Sequence, residues 1–139
     1  MTEEEKLQKL YLEFQMLSQH VKQLEEKTAA LNNQLMDLAA TNHSLEDIKK
    51  AKPKTEILVP LSSGIYAKAE LKDNKNFIVN VGSNVTTIKD IDSTKKLIET
   101  QIDEIKKLQE RLVNELQNNT SKAAMLEEQI NKIASTLKK

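Results

Sequence analysis

From Leu10 to Leu45 a leucine returns every seventh residue, at Leu10, Leu17, Leu24, Leu31, Leu38 and Leu45. Three residues ahead of each stand Leu7, Phe14, Val21, Thr28, Leu35 and Asn42. These are the d and a positions of a heptad repeat sustained well past the roughly three to four repeats that specify a coiled coil, with no Gly or Pro before Pro53. A 3.5-residue period holds one apolar seam in line along a helix and implies left-handed supercoiling. Such a helix cannot bury its seam alone, so the chain must supply it with a partner.

Glu3, Glu4 and Glu5 complement the helix dipole at its start, and Lys49, Lys50 and Lys52 do so at its end. Pro53 stops the helix, because the residue before a proline is pushed out of the α region. From about Asp92 the repeat resumes, with Ile91, Ile98, Ile105, Leu112, Asn119, Leu126 and Ile133 at d and Lys95, Ile102, Gln109, Leu116, Ala123, Ile130 and Leu137 at a. Asp90, Asp92 or Ser93 can cap its start. The two arms match in length to within a couple of turns, so folding the second back antiparallel on the first gives each a partner and brings the chain ends together. Thr28, Asn42, Gln109 and Asn119 put polar groups in that seam, where they either set the register or merely loosen it.

Between the arms the apolar period changes. Thr55 to Leu61 is β-branched and apolar, with Pro60 tolerated only at an edge or strand end. Ser62-Ser63-Gly64 is a turn signal, and Ile65 to Leu71 alternates, placing Lys68 and Glu70 on one face and Ala67, Ala69 and Leu71 on the other. A second turn at Asp73 to Asn76, a strand at Phe77 to Val81, a third turn at Gly82-Ser83-Asn84 and a strand at Val85 to Lys89 complete two hairpins. Four strands this short approach the lower limit of independent stability, and their open edges invite pairing with other chains. The expected fold class is α+β: a long antiparallel two-helix coiled coil with a central four-stranded, two-hairpin body that completes itself by joining sheets from other subunits. Residues 1–52 form the first helix, 53–90 the oligomerisation body and 91–139 the second helix, in a single domain. The residues expected to carry oligomerisation are Ile57, Val59, Leu61, Ile65, Leu71, Phe77, Val79, Val81 and Val85.

Composition narrows the function. Basic and acidic residues balance at 21 each, so no global field draws the chain to nucleic acid or to anionic lipid. The chain has no cysteine, which excludes disulfide frameworks and thiolate metal sites. An acidic opening, Met-Thr-Glu-Glu-Glu-Lys, and no apolar run near the roughly 20 residues of a membrane span predict a cytoplasmic protein without a membrane partner. His20 and His43 lack ligand spacing and read as solvated surface residues rather than metal ligands. No nucleophile and base are paired in the sequence, and two glycines cannot build a phosphate cradle, so an enzyme is not expected.

Some apolar residues fall off the seam. Tyr11, Leu12 and Met16 occupy e, f and c, while Ala124, Met125 and Ala134 occupy b, c and e. A two-helix coil leaves those positions wet, and an antiparallel hairpin brings both sets to one end. They are either a flexible apolar surface suited to binding many partners or isolated surface residues of no consequence.

The run Ile57-Leu58-Val59-Pro60-Leu61-Ser62-Ser63-Gly64-Ile65-Tyr66-Ala67-Lys68-Ala69-Glu70-Leu71-Lys72-Asp73, followed by Phe77-Ile78-Val79-Asn80-Val81-Gly82, is similar to the central segment of archaeal alpha-class prefoldin subunits. Two hairpins fit the alpha class rather than the beta class, which carries one. Thr86-Thr87 departs from the usual valine-rich fourth strand, and abundant Asn and Gln argue against a hyperthermophilic source. The resemblance implies a chaperone subunit that works without ATP or any cofactor. It implies that two alpha and four beta-class prefoldin subunits join their hairpins into an oligomeric β-barrel, and that the tips of their coiled coils hold non-native polypeptides for delivery to a group II chaperonin. Under that resemblance the client-binding residues are Leu7, Leu10, Tyr11, Leu12, Phe14, Met16, Leu17, Met125, Leu126, Ile130, Ile133 and Leu137. Alternatives are a self-assembling filament or scaffold subunit of the same type, and a coiled-coil adaptor for one specific partner.

Overall fold

The computed structural model describes residues 2–138. Helix α1 (Glu3–Lys50) is followed by strands β1 (Glu56–Ser62), β2 (Ile65–Glu70), β3 (Asn76–Gly82) and β4 (Val85–Asp90), and helix α2 (Ile91–Leu137) ends the chain. Two compact units result. The residues up to Gln34 and those from Ile105 onward form one, and Leu35–Glu104 form the other.

The first unit is a pair of antiparallel helical segments. Thr2 starts α1: its hydroxyl accepts the Glu5 amide at 3.2 Å and its carbonyl accepts the Lys6 amide at 3.0 Å. Within this unit the expected a and d residues are buried or half-buried, with Leu24 at 2% exposure the deepest and Ile130 also in the interior. Leu137 is the exception and is exposed. Ala134, expected to be wet, is half-buried instead, because it lies beside the seam residue Ile133 and shares its cover. Among the polar seam residues, Thr28 satisfies itself by donating its hydroxyl to the Leu24 carbonyl of the preceding turn at 2.8 Å.

The second unit carries the strands. β1 pairs antiparallel with β2, and β3 with β4, as two separate two-stranded sheets, with no closed barrel among the described residues. Each hairpin has a bulge just before its turn, at Pro60/Ser62 and at Asn80/Gly82. Pro60 is tolerated because β1 has no second neighbour to bond. Ser83 and Asn84, both with positive φ (50° and 62°), form the two-residue turn of the second hairpin, a geometry whose twist matches the flanking strands.

Leu45, Leu71 and Ile98 form this unit's interior, with the Thr94 side chain donating to the Asp90 carbonyl at 2.7 Å. Leu71 corrects an expectation. It is not available for oligomerisation, because the alternation that places Ala67 and Ala69 inward carries Leu71 into the chain's own core. Its backbone is also held there: its amide donates to the Thr55 carbonyl at 2.9 Å, and its carbonyl accepts the Lys54 amide at 2.7 Å.

The junctions are capped by side chains. Of the three candidates for the start of α2, Asp90 takes the role, its carboxylate accepting the Ser93 amide at 2.8 Å, and the helix begins at Ile91. Asn74, in the loop between the hairpins, closes the other helix by donating to the Ala51 carbonyl at 2.9 Å and the Lys49 carbonyl at 3.4 Å. Beside it, the Asp73 carboxylate accepts the Lys75 and Asn76 amides at 2.7 and 3.3 Å. The backbone and side-chain donors of Lys75 and Asn76 hold Asp73 below the ordinary carboxylate range, and those of Ser93 do the same for Asp90.

Lys95 occupies a seam position yet is satisfied, because it pairs with Glu46 across the two helices. Asn42 is not: its amide oxygen is buried without a hydrogen-bond partner among the described residues. An orphaned acceptor of that kind costs about 1–3 kcal/mol.

Candidate functional site

In the first unit α1 and α2 leave a groove of about 500 Å³ between them, lined by Glu13, Met16, Leu17 and His20 from one helix and Lys122, Met125, Leu126 and Gln129 from the other. The antiparallel heptads dictate this arrangement. Leu17 and Leu126 are seam residues and form the floor, while Met16 and Met125 sit one position earlier and stand at the walls, 64% and 62% exposed. Glu13, Lys122 and Gln129 make the rim polar, and His20 shares a 3.1 Å contact between its Nε2 and Glu115 Oε1. That pairing lies in solvent, with the two side chains 45% and 48% exposed. Sequence spacing could not show it, since the partners lie 95 residues apart.

Four of the expected client-binding residues, Met16, Leu17, Met125 and Leu126, therefore share one groove. Tyr11, Leu12 and Leu137 are exposed in the same unit, outside the groove's lining. Leu7, Leu10, Phe14 and Ile133 are half-buried in the seam. Ile130 is buried there and closes the helix pair rather than offering a surface. Two long, unbranched thioethers above a leucine floor can repack around side chains of different shape.

The second unit presents a different apolar surface. Cross-strand pairing places Ile57 with Ala69 and Phe77 with Lys89 on the half-buried faces of the hairpins. Phe77 and Val79 line a cleft with Leu38, Leu45, Leu97 and Ile98, so part of their surface is already covered within the chain. The opposite faces are open: Ile78 lies directly across from Ile88, at 79% and 72% exposure, and Leu58 and Tyr66 are exposed on the first hairpin. Leu61, Ile65, Val81 and Val85 are exposed near the turns, and Val59 is exposed on β1. Leu58, Tyr66, Ile78 and Ile88 were absent from the expected set. Leu58 and Ile78 are legible in the sequence, because β1 and β3 are apolar at consecutive positions, whereas Tyr66 and Ile88 join those faces through the cross-strand register.

Among the described residues no helix is long and apolar enough to cross a membrane.

Two long helices joined through two consecutive antiparallel hairpins, with an apolar groove between the helices, define a small class of proteins. The prefoldin subunit family matches residues 17–136, and the chain belongs to it. Prefoldin subunit alpha of Methanococcus vannielii is 25% identical over 135 residues, covering 97% of this chain and 90% of that protein. Prefoldin subunit alpha of Pyrococcus horikoshii is 32% identical over 99 residues, covering 70% of this chain and 67% of that protein. Among solved structures, the cryo-electron microscopy structure of filamentous PFD from Methanocaldococcus jannaschii has the same fold, with a TM-score of 0.73, 18% identity, and coverage of 81% of this chain and 93% of that one.

Proposed function

We propose that the chain is the alpha-class subunit of an ATP-independent holding chaperone. Its groove and neighbouring exposed side chains retain apolar segments of non-native polypeptides, and its hairpins join those of beta-class subunits, two alpha with four beta. The observation that carries this reading is the groove itself, where Met16 and Met125 stand exposed over Leu17 and Leu126. Each such contact is weak and reversible. Several presented by one assembly give retention through effective concentration, so no nucleotide cycle is needed to hold or release. Delivery of the held chain to a group II chaperonin completes the proposed role.

The test is suppression of aggregation of reduced lysozyme, without ATP, by the chain alone and with a beta-class partner. Light scattering that rises as fast as in the absence of the chain, in both arms, would sink the reading. Transfer is tested separately, by asking whether held protein is refolded when a group II chaperonin and ATP are added.

A second reading has an observation of its own. The fold matches filamentous PFD, and open apolar faces on both hairpins suit end-to-end assembly of one kind of subunit. Electron microscopy of the purified chain separates the two, since long filaments favour the scaffold and small closed oligomers the chaperone.

A further inference from the structure

We propose that Met16 and Met125 form a paired oxidation site through which a peroxide-class oxidant weakens the groove's hold on apolar chains. This rests on the holding role above. The chain has no cysteine, so methionine thioethers are its only sulfur. Of its four methionines, Met16 and Met125 are both more than 60% exposed and line the same groove, one from each helix. Met36 is as exposed, at 64%, and takes no part in that lining, while Met1 lies outside the described residues.

The chemistry needs no other group. The sulfur lone pair attacks one peroxide oxygen, the O–O bond breaks, a sulfur–oxygen bond forms and water leaves. The thioether is oxidised by two electrons and the peroxide is reduced by two. The product replaces a flexible apolar side chain by a polar, chiral sulfoxide. Over the floor formed by Leu17 and Leu126 the new oxygen takes its hydrogen bonds from water, since both methionine side chains are exposed. Its possible partners, Lys122, His20 and Gln129, are at the rim. An apolar client segment entering the groove must then desolvate two strong acceptors without replacing their hydrogen bonds. Methionine sulfoxide reductases reverse the modification, one enzyme for each epimer, so the groove can be reset.

The experiment treats the full chain with limited hydrogen peroxide, maps each methionine by peptide mass, and compares every protein with its own untreated state. Two readouts follow: suppression of reduced-lysozyme aggregation and binding of the apolar dye anilinonaphthalene sulfonate. The variants are Met16→Leu with Met125→Leu, and Met36→Leu as a control outside the groove. Oxidised wild type and oxidised Met36→Leu are expected to hold about tenfold more weakly than before treatment. The double variant is expected to change little on treatment, and reductase treatment to restore the wild type. Three results would overturn the proposal: Met16 and Met125 unmodified where Met36 is modified, undiminished holding and dye binding after both are oxidised, or equal losses in wild type and double variant. Failure of untreated protein to hold lysozyme counts against the holding role instead. Dye binding still reads oxidation of the groove in that case.

Discussion

The helical seam and the outer faces of the hairpins are both apolar, yet only one is finished within the chain. Leu24 and Ile130 are covered by the chain's own helices, whereas Ile78 and Ile88 face each other across β3 and β4 with most of their surface uncovered. The seam is a closed instruction: a seven-residue repeat in one segment is answered by the same repeat in another. Each hairpin is an open one, in which alternation settles which residues share a face but the chain itself supplies no cover for the outer one. Apolar sequence thus signals burial in both places, and the difference lies in where the burying surface comes from.

The strongest way to break that comparison is to make the open faces polar. Ile78→Ser combined with Ile88→Ser should remove about 3–6 kcal/mol of assembly free energy while leaving the helix content intact. Light scattering coupled to size exclusion, with far-ultraviolet circular dichroism alongside, checks both halves. An unchanged oligomer would show those faces to be idle. The converse change, Leu24→Ala in the seam, should destabilise the helix pair by about 3–4 kcal/mol in urea melts, whatever the state of assembly.

Smaller effects sharpen the contrast. Replacing Tyr11, Leu12 and Met16 together by Ser should weaken holding of reduced lysozyme about tenfold while assembly persists, since these side chains are exposed rather than structural. Dissolution of the oligomer in that variant would reassign them to the scaffold. Ser83→Asn should stabilise the second hairpin by up to about 1 kcal/mol, because Ser83 holds a left-handed conformation that Asn adopts more readily. Thermal melts read it.

The smallest expected effect is on acid stability. Asp73 and Asp90 are held below the ordinary carboxylate value of 3.8 by hydrogen bonds present only in the folded chain. A depressed folded value means that the stabilisation is complete above 3.8 and is lost as pH falls through the folded value. Asp73→Asn with Asp90→Asn should therefore flatten the dependence of stability on pH below about 4. Urea midpoints at successive pH values measure that slope.

The helices were legible because a period is a repeated signal. Six leucines in register outweigh Thr28 and Asn42, and the structure keeps both of these in the seam. The strands were legible to within about a residue at each end, since turn residues such as Gly64 and Asn84 mark their limits. The open faces were harder to read. Ile57, Leu58 and Val59 are all apolar, so alternation alone does not say which side the helices cover. Leu71 shares the face of Ala67 and Ala69 as alternation requires, but alternation does not say whether that face is covered by other subunits or by the chain's own core. Long-range side-chain pairings, His20 with Glu115 and Asn74 with Ala51, leave no local trace at all. Within the groove, spacing identified the wall methionines, and the antiparallel fold was needed to set them opposite each other.

One small amide has a mechanical consequence. Because Asn74 sits between the two β ribbons and grips the final carbonyls of α1, tension on that helix's last turn is delivered to the joint between the ribbons. The ribbons cannot change their splay without either carrying the helix end along or releasing it to water. Their mounting is thus shared between this side chain and the backbone bonds that tie Leu71 to Lys54 and Thr55.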